Sequence, residues 1–190
     1  ERLQIIRHEE NKGGSAARNT GIEASNGEYI AFLDDDDEWE EDKLESQIRR
    51  LNETSDEFKA CYCPATLVFP DKEVEETKAP EGDIRKQILL LEVNGAFGSS
   101  LIVDSEIVEK INGFDEKFPR HQDWEFLLRI LDETKICSKP AKVRRNVDYG
   151  HNTSLEKVIE SKGLYLDKFD NIIKNYSILT QRKIHSRHMM

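Results

Sequence analysis

The sequence predicts an α/β domain, because segments with strand character alternate with segments of helical character up to about residue 110. Three consecutive segments set this pattern: a strand over residues 3–6, a helix over 16–25 and a strand over 29–33. Together they predict a βαβ unit, whose crossover should be right-handed. A chain of 190 residues is long enough for one such domain with a core and an added tail.

The next elements follow from periodicity and from turn residues. A helix is predicted over 40–52, because its apolar residues fall on one stripe: Leu44, Ile48 and Leu51. Residues 58–69 are rich in strand formers, with Pro64 as an interruption. Residues 71–82 are polar, and we predict a mobile surface loop there.

The rest of the chain is predicted to contain, in order, a short helix over 84–93, a strand over 96–103, a short helix over 105–110, a helix over 122–132, one or two strands within 135–148, a long amphipathic helix over 154–176 and a frayed tail over 181–190. We therefore expect a domain over residues 1–153, followed by a C-terminal helix and tail over 154–190.

Composition limits the class of function. The net charge of -10 argues against a general nucleic-acid binder, because phosphate backbones require a basic surface. No apolar run approaches the roughly 20 residues that span a bilayer, and residues 1–4 lack the apolar segment of a signal peptide. The three cysteines, Cys61, Cys63 and Cys137, lack zinc-site spacing. We expect reduced, buried thiols in a cytoplasmic protein.

An acidic run is the most informative motif. Asp34, Asp35, Asp36 and Asp37 directly follow the apolar segment 29–33, which is typical of a short buried strand. Carboxylates packed this closely repel one another and are best tolerated around a cation. Oxygen ligands suit Mg²⁺ or Mn²⁺, and ligands of open α/β sheets bind at the carboxyl ends of strands. The alternative is a solvated surface run.

A glycine loop precedes the first predicted helix. Gly13 and Gly14 would let backbone amides approach an anion at the helix N-terminus, and Arg18 on the first turn could reach a diphosphate. The spacing fits neither a dinucleotide fingerprint nor a P-loop. The alternative is a plain glycine turn with Ser15 as the N-cap.

Two further motifs carry ionisable groups. Asp123, near the start of an apolar helix, could act as a general base, or it could simply cap that helix. His151 follows Gly150 and could be a third metal ligand or a phosphate contact. The alternative for His151 is an exposed loop histidine before a cap at Ser154.

These motifs together resemble the family 2 glycosyltransferases of GT-A fold. The matching blocks are residues 11–19 (NKGGSAARN), 27–37 (GEYIAFLDDDD), 113–116 (GFDE) and 122–129 (QDWEFLLR). Their order and spacing also match, over roughly residues 3–154. The resemblance implies a Rossmann-like α/β fold with a mixed, mainly parallel sheet flanked by helices and with a C-terminal helical extension.

The resemblance also implies roles for these residues. Asp36 of the Asp-x-Asp element would bind Mg²⁺ or Mn²⁺, and Asp34 or Asp35 would contact the donor's ribose; His151 stays the further metal ligand that its own motif suggests. The donor side would further include Asn11, Gly13, Gly14 and Arg18. Asp123 would deprotonate the acceptor hydroxyl in inverting transfer, and the acceptor cleft would include Ser99, Ser100 and Trp124. Gln122 replaces a glutamate of many relatives, which favours a lower pKa for Asp123.

One departure concerns the start of the chain. Family members open with a strand, a helix and a second strand before the position of residue 3, and this sequence lacks them. That absence implies an unpaired sheet edge, which favours self-association. We expect the 190 residues alone to bind a sugar nucleotide poorly or not at all.

The predicted function is sugar transfer from a nucleotide-diphosphate sugar, first a UDP-sugar, to a saccharide or other hydroxyl acceptor in glycan or polysaccharide synthesis. The predicted location is the cytoplasm, with a peripheral position at the inner face of the membrane as an option. Two alternatives stay open: a metal-dependent nucleotidyltransferase, and a non-catalytic GT-A scaffold module.

Overall fold

The computed structural model describes residues 3–75, 79–93, 97–139, 143–146 and 155–189. Its elements in the first half are α1 (Gly14–Ala24), β1 (Tyr29–Ala31), β2 (Asp37–Trp39), α2 (Lys43–Asn52), β3 (Phe58–Tyr62), β4 (Ala65–Val68), β5 (Glu73–Glu75) and α3 (Arg85–Leu89). Those in the second half are α4 (Phe97–Ser100), β6 (Ile102–Asp104), α5 (Ser105–Lys110), α6 (Gln122–Glu133), β7 (Lys135–Ser138), β8 (Val143–Asn146), α7 (Leu155–Lys168), α8 (Asp170–Lys174) and α9 (Ile178–Met189).

Within these residues the strands form two mixed four-stranded sheets. The first has the order β1-β6-β3-β7 and the second β2-β8-β4-β5. The pairs β3–β7 and β4–β8 are parallel, whereas β1–β6, β3–β6, β2–β8 and β4–β5 are antiparallel. The mixed sheet is confirmed, but antiparallel pairings outnumber parallel ones here because β6 runs between β1 and β3 in the opposite direction.

The predicted strand over residues 3–6 is wrong. This segment has no ladder partner among the described residues, and Leu3 and Ile5 are 75% and 76% exposed. A strand needs a neighbour for its backbone groups. β1 pairs through one edge with β6, and its residues line a cavity whose lining does not include the segment 3–6. The predicted βαβ unit therefore does not form.

Residues 58–69 divide as the proline predicted. β3 and β4 lie on either side of Pro64 and belong to different sheets. In contrast, only the end of the strand predicted at 96–103 is extended, because α4 occupies its start. At the end of α4, the side-chain amide of Gln47 donates to the carbonyl of Ser100 at 2.8 Å. This bond gives the carbonyl the partner that a sheet ladder would otherwise provide. All three cysteines are buried thiols outside any disulfide, as expected.

The C-terminal region corrects two predictions. The helix predicted over 154–176 is divided into α7 and α8 at Phe169, and the predicted frayed tail is the helix α9. α9 is ordered by packing, since Ile184 and His188 are buried one turn apart. The ring of His188 donates through Nε2 to the carbonyl of Leu89 at 3.1 Å.

The C-terminal helices share the main core with the sheet. Tyr165, Phe169 and Ile184 belong to the same buried cluster as Phe32 and Phe126. The predicted helical extension thus packs against the body of the protein as part of its core.

A buried ion pair fixes α6. The carboxylate of Glu125 is fully buried and accepts from Arg129 Nε at 2.5 Å and Nη2 at 2.8 Å. Lys168 of α7 approaches it at 2.7 Å and also pairs with Asp115 at 2.6 Å. These contacts join α6 to α7, and α6 carries the predicted base.

Candidate active site

The four aspartates after β1 have different environments. Asp34 is half-buried, Asp35 and Asp36 are exposed on a turn, and Asp37 is buried at the start of β2. The turn closes where the amide of Asp37 donates to the carbonyl of Asp34 at 3.2 Å. The side chain of Asn146 donates to the carbonyl of Asp36 at 2.6 Å. The run is therefore a braced acidic turn with two exposed carboxylates, those of Asp35 and Asp36.

Arg18 holds the first carboxylate of this turn. Its Nη2 donates to Oδ1 of Asp34 at 2.5 Å, and its guanidinium lies 5.5 Å from the ring centre of Phe114. The predicted donor-side arginine is thus beside the acidic turn. Its Nη1 is buried and has no hydrogen-bond partner among the described residues.

The glycine loop brings the start of α1 against the start of α6. Gly13 has φ +88°, which a side chain would strain, and its amide donates to Oδ1 of Asn11 at 2.9 Å. A Cβ at Gly14 would lie 3.1 Å from both Arg18 Nη1 and Gln122 Nε2, so glycine permits this close approach. Ser15 donates to Gln122 Oε1 at 2.6 Å instead of capping α1.

Asp123 is not engaged in capping its helix. The N-cap position of α6 is His121, which has φ 60°, and no side-chain cap hydrogen bond is made there. Oδ1 of Asp123 is buried without a partner in the described part of the chain. Burial raises the pKa of Asp123, the charge of Arg18 lowers it and Asp34 raises it. Burial thus outweighs the lower pKa expected from Gln122, and the role of Asp123 as a general base stays a prediction.

Asp34 and Asp123 face one cleft. A Cβ placed on Gly98 would lie 3.3 Å from Oδ2 of Asp34 and 3.6 Å from Oδ2 of Asp123. The two carboxylates therefore approach the same point from two sides. Glycine fits at position 98 because a side chain there would be pressed against the carboxylate of Asp34.

A cavity of about 780 Å³ opens beside this point. Its lining includes Gly14 and Arg18 from α1, Gln122 from α6, the acidic turn 34–36 and the backbone of β1. Two motifs that lie far apart in the sequence, the glycine loop and the acidic turn, are brought together here. The cavity is large enough for a ligand of nucleotide size.

Of the predicted acceptor residues, Ser99 contacts the acidic turn, whereas Trp124 packs against His121 and Tyr165. The hydroxyl of Ser99 accepts from the amide of Asp34 at 3.0 Å, and Ser99 and Ser100 are both buried. The ring of Trp124 stacks on His121 at 4.7 Å and meets Tyr165 edge-on at 6.4 Å. The acceptor roles of these residues stay predictions.

Trp39 supports the same turn from beneath. Its Nε1 donates to the carbonyl of Ser99 at 2.7 Å, and its ring packs on the small core cluster of the second sheet. The ammonium of Lys43 lies 4.1 Å from the centre of that ring. Burial lowers the pKa of Lys43 to about 8. Trp39 is thus a core contact of the turn.

Two side chains of the acidic turn have the chemistry of metal ligands. Asp35 and Asp36 present exposed carboxylate oxygens, which suit hard divalent cations. In the described part of the chain, no three His, Cys, Asp or Glu residues are grouped to hold a metal ion. His151 lies outside the described residues.

Sequence reasoning missed one cation near the site. Arg145 lies opposite Asp37 in the β2–β8 ladder, and its charge lowers the pKa values of Asp37 and Asp123. The pairing of two strands more than 100 residues apart has no local sequence signal, so the juxtaposition could not be predicted.

The sequence profile of the family described as "Glycosyl transferase family 2" matches residues 1–111. The chain belongs to this family. Among the curated relatives of this family 2 chain is the amylovoran biosynthesis glycosyltransferase AmsB of Erwinia amylovora, 31% identical over 143 residues, which covers 67% of this chain and 44% of AmsB. The beta-1,3-glucosyltransferase WfgD of Escherichia coli, named for UDP-Glc and alpha-D-GlcNAc-diphosphoundecaprenol, is 29% identical over 72% of this chain and 51% of its own. The chain spans about half the length of these relatives.

Solved structures show the fold. S. aureus TarS 1–349 in complex with UDP-GlcNAc has a TM-score of 0.67 at 16% identity, over 98% of this chain and 55% of that one. The mannosyltransferase PcManGT from Pyrobaculum calidifontis, in complex with GDP-Man and Mn²⁺, has a TM-score of 0.59 at 17% identity, over 98% and 51%. The family 2 chain therefore has the predicted GT-A fold. Among its described helices, none is both long and apolar enough to cross a membrane.

Proposed function

We propose that this family 2 chain carries the catalytic site of an inverting glycosyltransferase. The sugar donor would be a nucleotide-diphosphate sugar, with a UDP-sugar as the favoured candidate. The acceptor would be a hydroxyl in a growing glycan or polysaccharide. The observation that carries the proposal is the approach of Asp34 and the unpartnered Asp123 to one point beside Gly98. The complex of TarS with UDP-GlcNAc and the naming of AmsB for amylovoran biosynthesis support the substrate class.

The chemistry assigned to Asp123 follows from its environment. Its carboxylate accepts the proton of the acceptor hydroxyl while the acceptor oxygen attacks the anomeric carbon. The bond between that carbon and the diphosphate oxygen breaks on the opposite face, which inverts the configuration. The glycine loop, with Asn11, Gly13, Gly14 and Arg18, forms the donor side of the cleft.

The acidic turn would hold a divalent cation, Mg²⁺ or Mn²⁺. Asp36 is proposed as a metal ligand and His151 as another, with Asp34 or Asp35 towards the ribose. The exposed oxygens of Asp35 and Asp36 fit such an ion, and PcManGT is described with Mn²⁺. A bound cation would neutralise charge on the departing diphosphate.

Ser99, Ser100 and Trp124 remain the proposed acceptor side. The proposed location is the cytoplasm, with peripheral contact at the inner face of the membrane. WfgD is named for a diphosphoundecaprenol-linked sugar as its acceptor, which supports a lipid-linked acceptor class.

The test is a donor screen with the intact protein that carries this chain. We expect release of a nucleoside diphosphate from one sugar nucleotide, dependent on Mg²⁺ or Mn²⁺. Asp123→Asn should lower kcat about 100- to 10,000-fold. Asp132→Asn is the matched control, because Asp132 lies at the exposed end of the same helix and pairs with Arg85 at 2.8 Å. The control should keep full activity.

Three outcomes would contradict the proposal. Unchanged turnover of Asp123→Asn would show that Asp123 is not the general base. Release of pyrophosphate in place of a nucleoside diphosphate would indicate a nucleotidyltransferase. No metal-dependent binding of any donor would indicate a scaffold module.

A further inference from the structure

The second sheet presents an arginine to the acidic turn. In the β2–β8 ladder, Arg145 lies opposite Asp37 and Arg144 lies opposite Glu38. Side chains directly opposite in a ladder share a face of the sheet, and successive residues point to opposite faces. Arg145 therefore shares the face of Asp37, and Arg144 is directed to the other face.

The end of β8 is held against the turn. The residue after Arg145, Asn146, donates its side-chain amide to the carbonyl of Asp36 at 2.6 Å. Burial raises the pKa of Asp123, and the charge of Arg145 acts in the opposite direction on that carboxylate. The strand register therefore places Arg145 beside the acidic turn, and its charge reaches Asp123.

Arg145 also differs from two neighbouring arginines in its ion pairing within the described residues. Arg144 donates to Glu73 Oε1 at 2.6 Å, and Arg18 is bound to Asp34. Arg145 is exposed and has no ion pair within 4.0 Å among the described residues. An exposed cation beside a cleft lined by carboxylates is available to an anionic ligand.

We propose that Arg145 binds the diphosphate of the nucleotide sugar and stabilises it as the leaving group. This inference rests on the proposed function. When the anomeric carbon–oxygen bond breaks, its electron pair stays on the diphosphate oxygen. The guanidinium donates hydrogen bonds to that group, and the proton of the acceptor passes to Asp123. The guanidinium would add a fixed positive charge to that of the proposed metal ion, against the carboxylates around the cleft.

The test compares diphosphates with monophosphates in the intact protein. Titration calorimetry at fixed Mg²⁺ would measure binding of UDP and GDP against UMP and GMP. We expect the wild type to prefer one diphosphate. Arg145→Gln should weaken the binding of that diphosphate about 5- to 30-fold, because a charge-assisted hydrogen bond is lost. Its affinity for the monophosphate should change less than about twofold. Arg144→Gln, the matched control on the opposite face, should leave the ratio unchanged.

Two results would overturn the inference: an unchanged diphosphate-to-monophosphate ratio in Arg145→Gln, or a wild type without preference for the diphosphate. Arg145→Lys adds a second check, since it keeps the charge and loses the planar fork. It should recover part of the affinity. In the donor assay, Arg145→Gln should lower kcat. If no donor is turned over but the diphosphate preference depends on Arg145, the proposed function fails and the binding assignment stands.

Discussion

Two arginine–glutamate pairs have the same i,i+4 spacing in a helix but different burial, and this difference predicts their contributions to stability. Arg129 binds Glu125 in α6, where the side chains are 17% and 0% exposed. Arg49 binds Glu45 in α2, where they are 59% and 74% exposed. Replacement of each arginine by methionine removes the cation and keeps a long side chain.

The magnitude follows from what each substitution leaves behind. Arg129→Met leaves the buried carboxylate of Glu125 with Lys168 at 2.7 Å, and it also removes the bond from Arg129 to the carbonyl of Ile111 at 2.6 Å. Removal of one partner from a buried pair costs about 3–5 kcal/mol. Because Lys168 remains, we expect about 3 kcal/mol. The exposed pair should contribute about 0.5 kcal/mol or less.

Urea unfolding of the three proteins would measure both losses, provided that the m-value is unchanged. In a thermal scan, about 3 kcal/mol should lower Tm by roughly 6–12 °C for a chain of this size. Addition of Glu125→Gln to Arg129→Met should recover part of the loss, because no lone charge is then buried. Equal losses for Arg129→Met and Arg49→Met would refute the reasoning.

Three further predictions follow from individual side chains. Because burial raises the pKa of Asp123, kcat/KM should fall on the acid side with an apparent pKa above the usual aspartate range; an acid limb below about 4 would contradict this. Gly113→Ala should cost about 1–3 kcal/mol by thermal unfolding, since Gly113 has φ +61° and its Cβ would lie 2.5 Å from Oδ1 of Asn19; a loss below about 0.5 kcal/mol would contradict it. Lys43 has a pKa lowered to about 8, so Lys43→Met should be about 2–3 kcal/mol more stable at pH 7. That gain should fade as the pH rises from 8 towards 10.5, where lysine is neutral in both states, and a pH-independent difference would be evidence against it.

Local sequence signals predicted the elements that depend on local chemistry. Asn112 and Gly113 end α5 with positive φ angles of 57° and 61°, as the pair predicts. Pro64 separates two strands, and the apolar stripe of α6 defines its extent. In each case the residue type itself restricts the backbone or defines the buried face.

Elements that depend on distant contacts could not be predicted. The polar composition of residues 181–190 suggested fraying, yet burial of Ile184 and His188 orders α9. Residues 3–6 have strand composition, and they find no partner among the described strands. Tertiary neighbours decide both outcomes, and a single sequence does not show them.

The same distinction applies to the site. Asp34 and Asp123 were identified because each follows or opens an element with a clear pattern. The contacts that join their elements, such as Ser15 to Gln122 across 107 positions, depend on the fold. The cross-strand neighbour Arg145 was missed for this reason.

Helix α9 also limits how the protein can be shortened for laboratory work. His188 stacks on Tyr165 at 5.1 Å and meets Trp124 edge-on at 6.3 Å, next in sequence to the proposed base. A version of the chain that ends before α9 would expose these rings to water and loosen the start of α6. An affinity tag that displaces the final turn of α9 would expose the same rings, so expression designs should keep residues 178–189 intact.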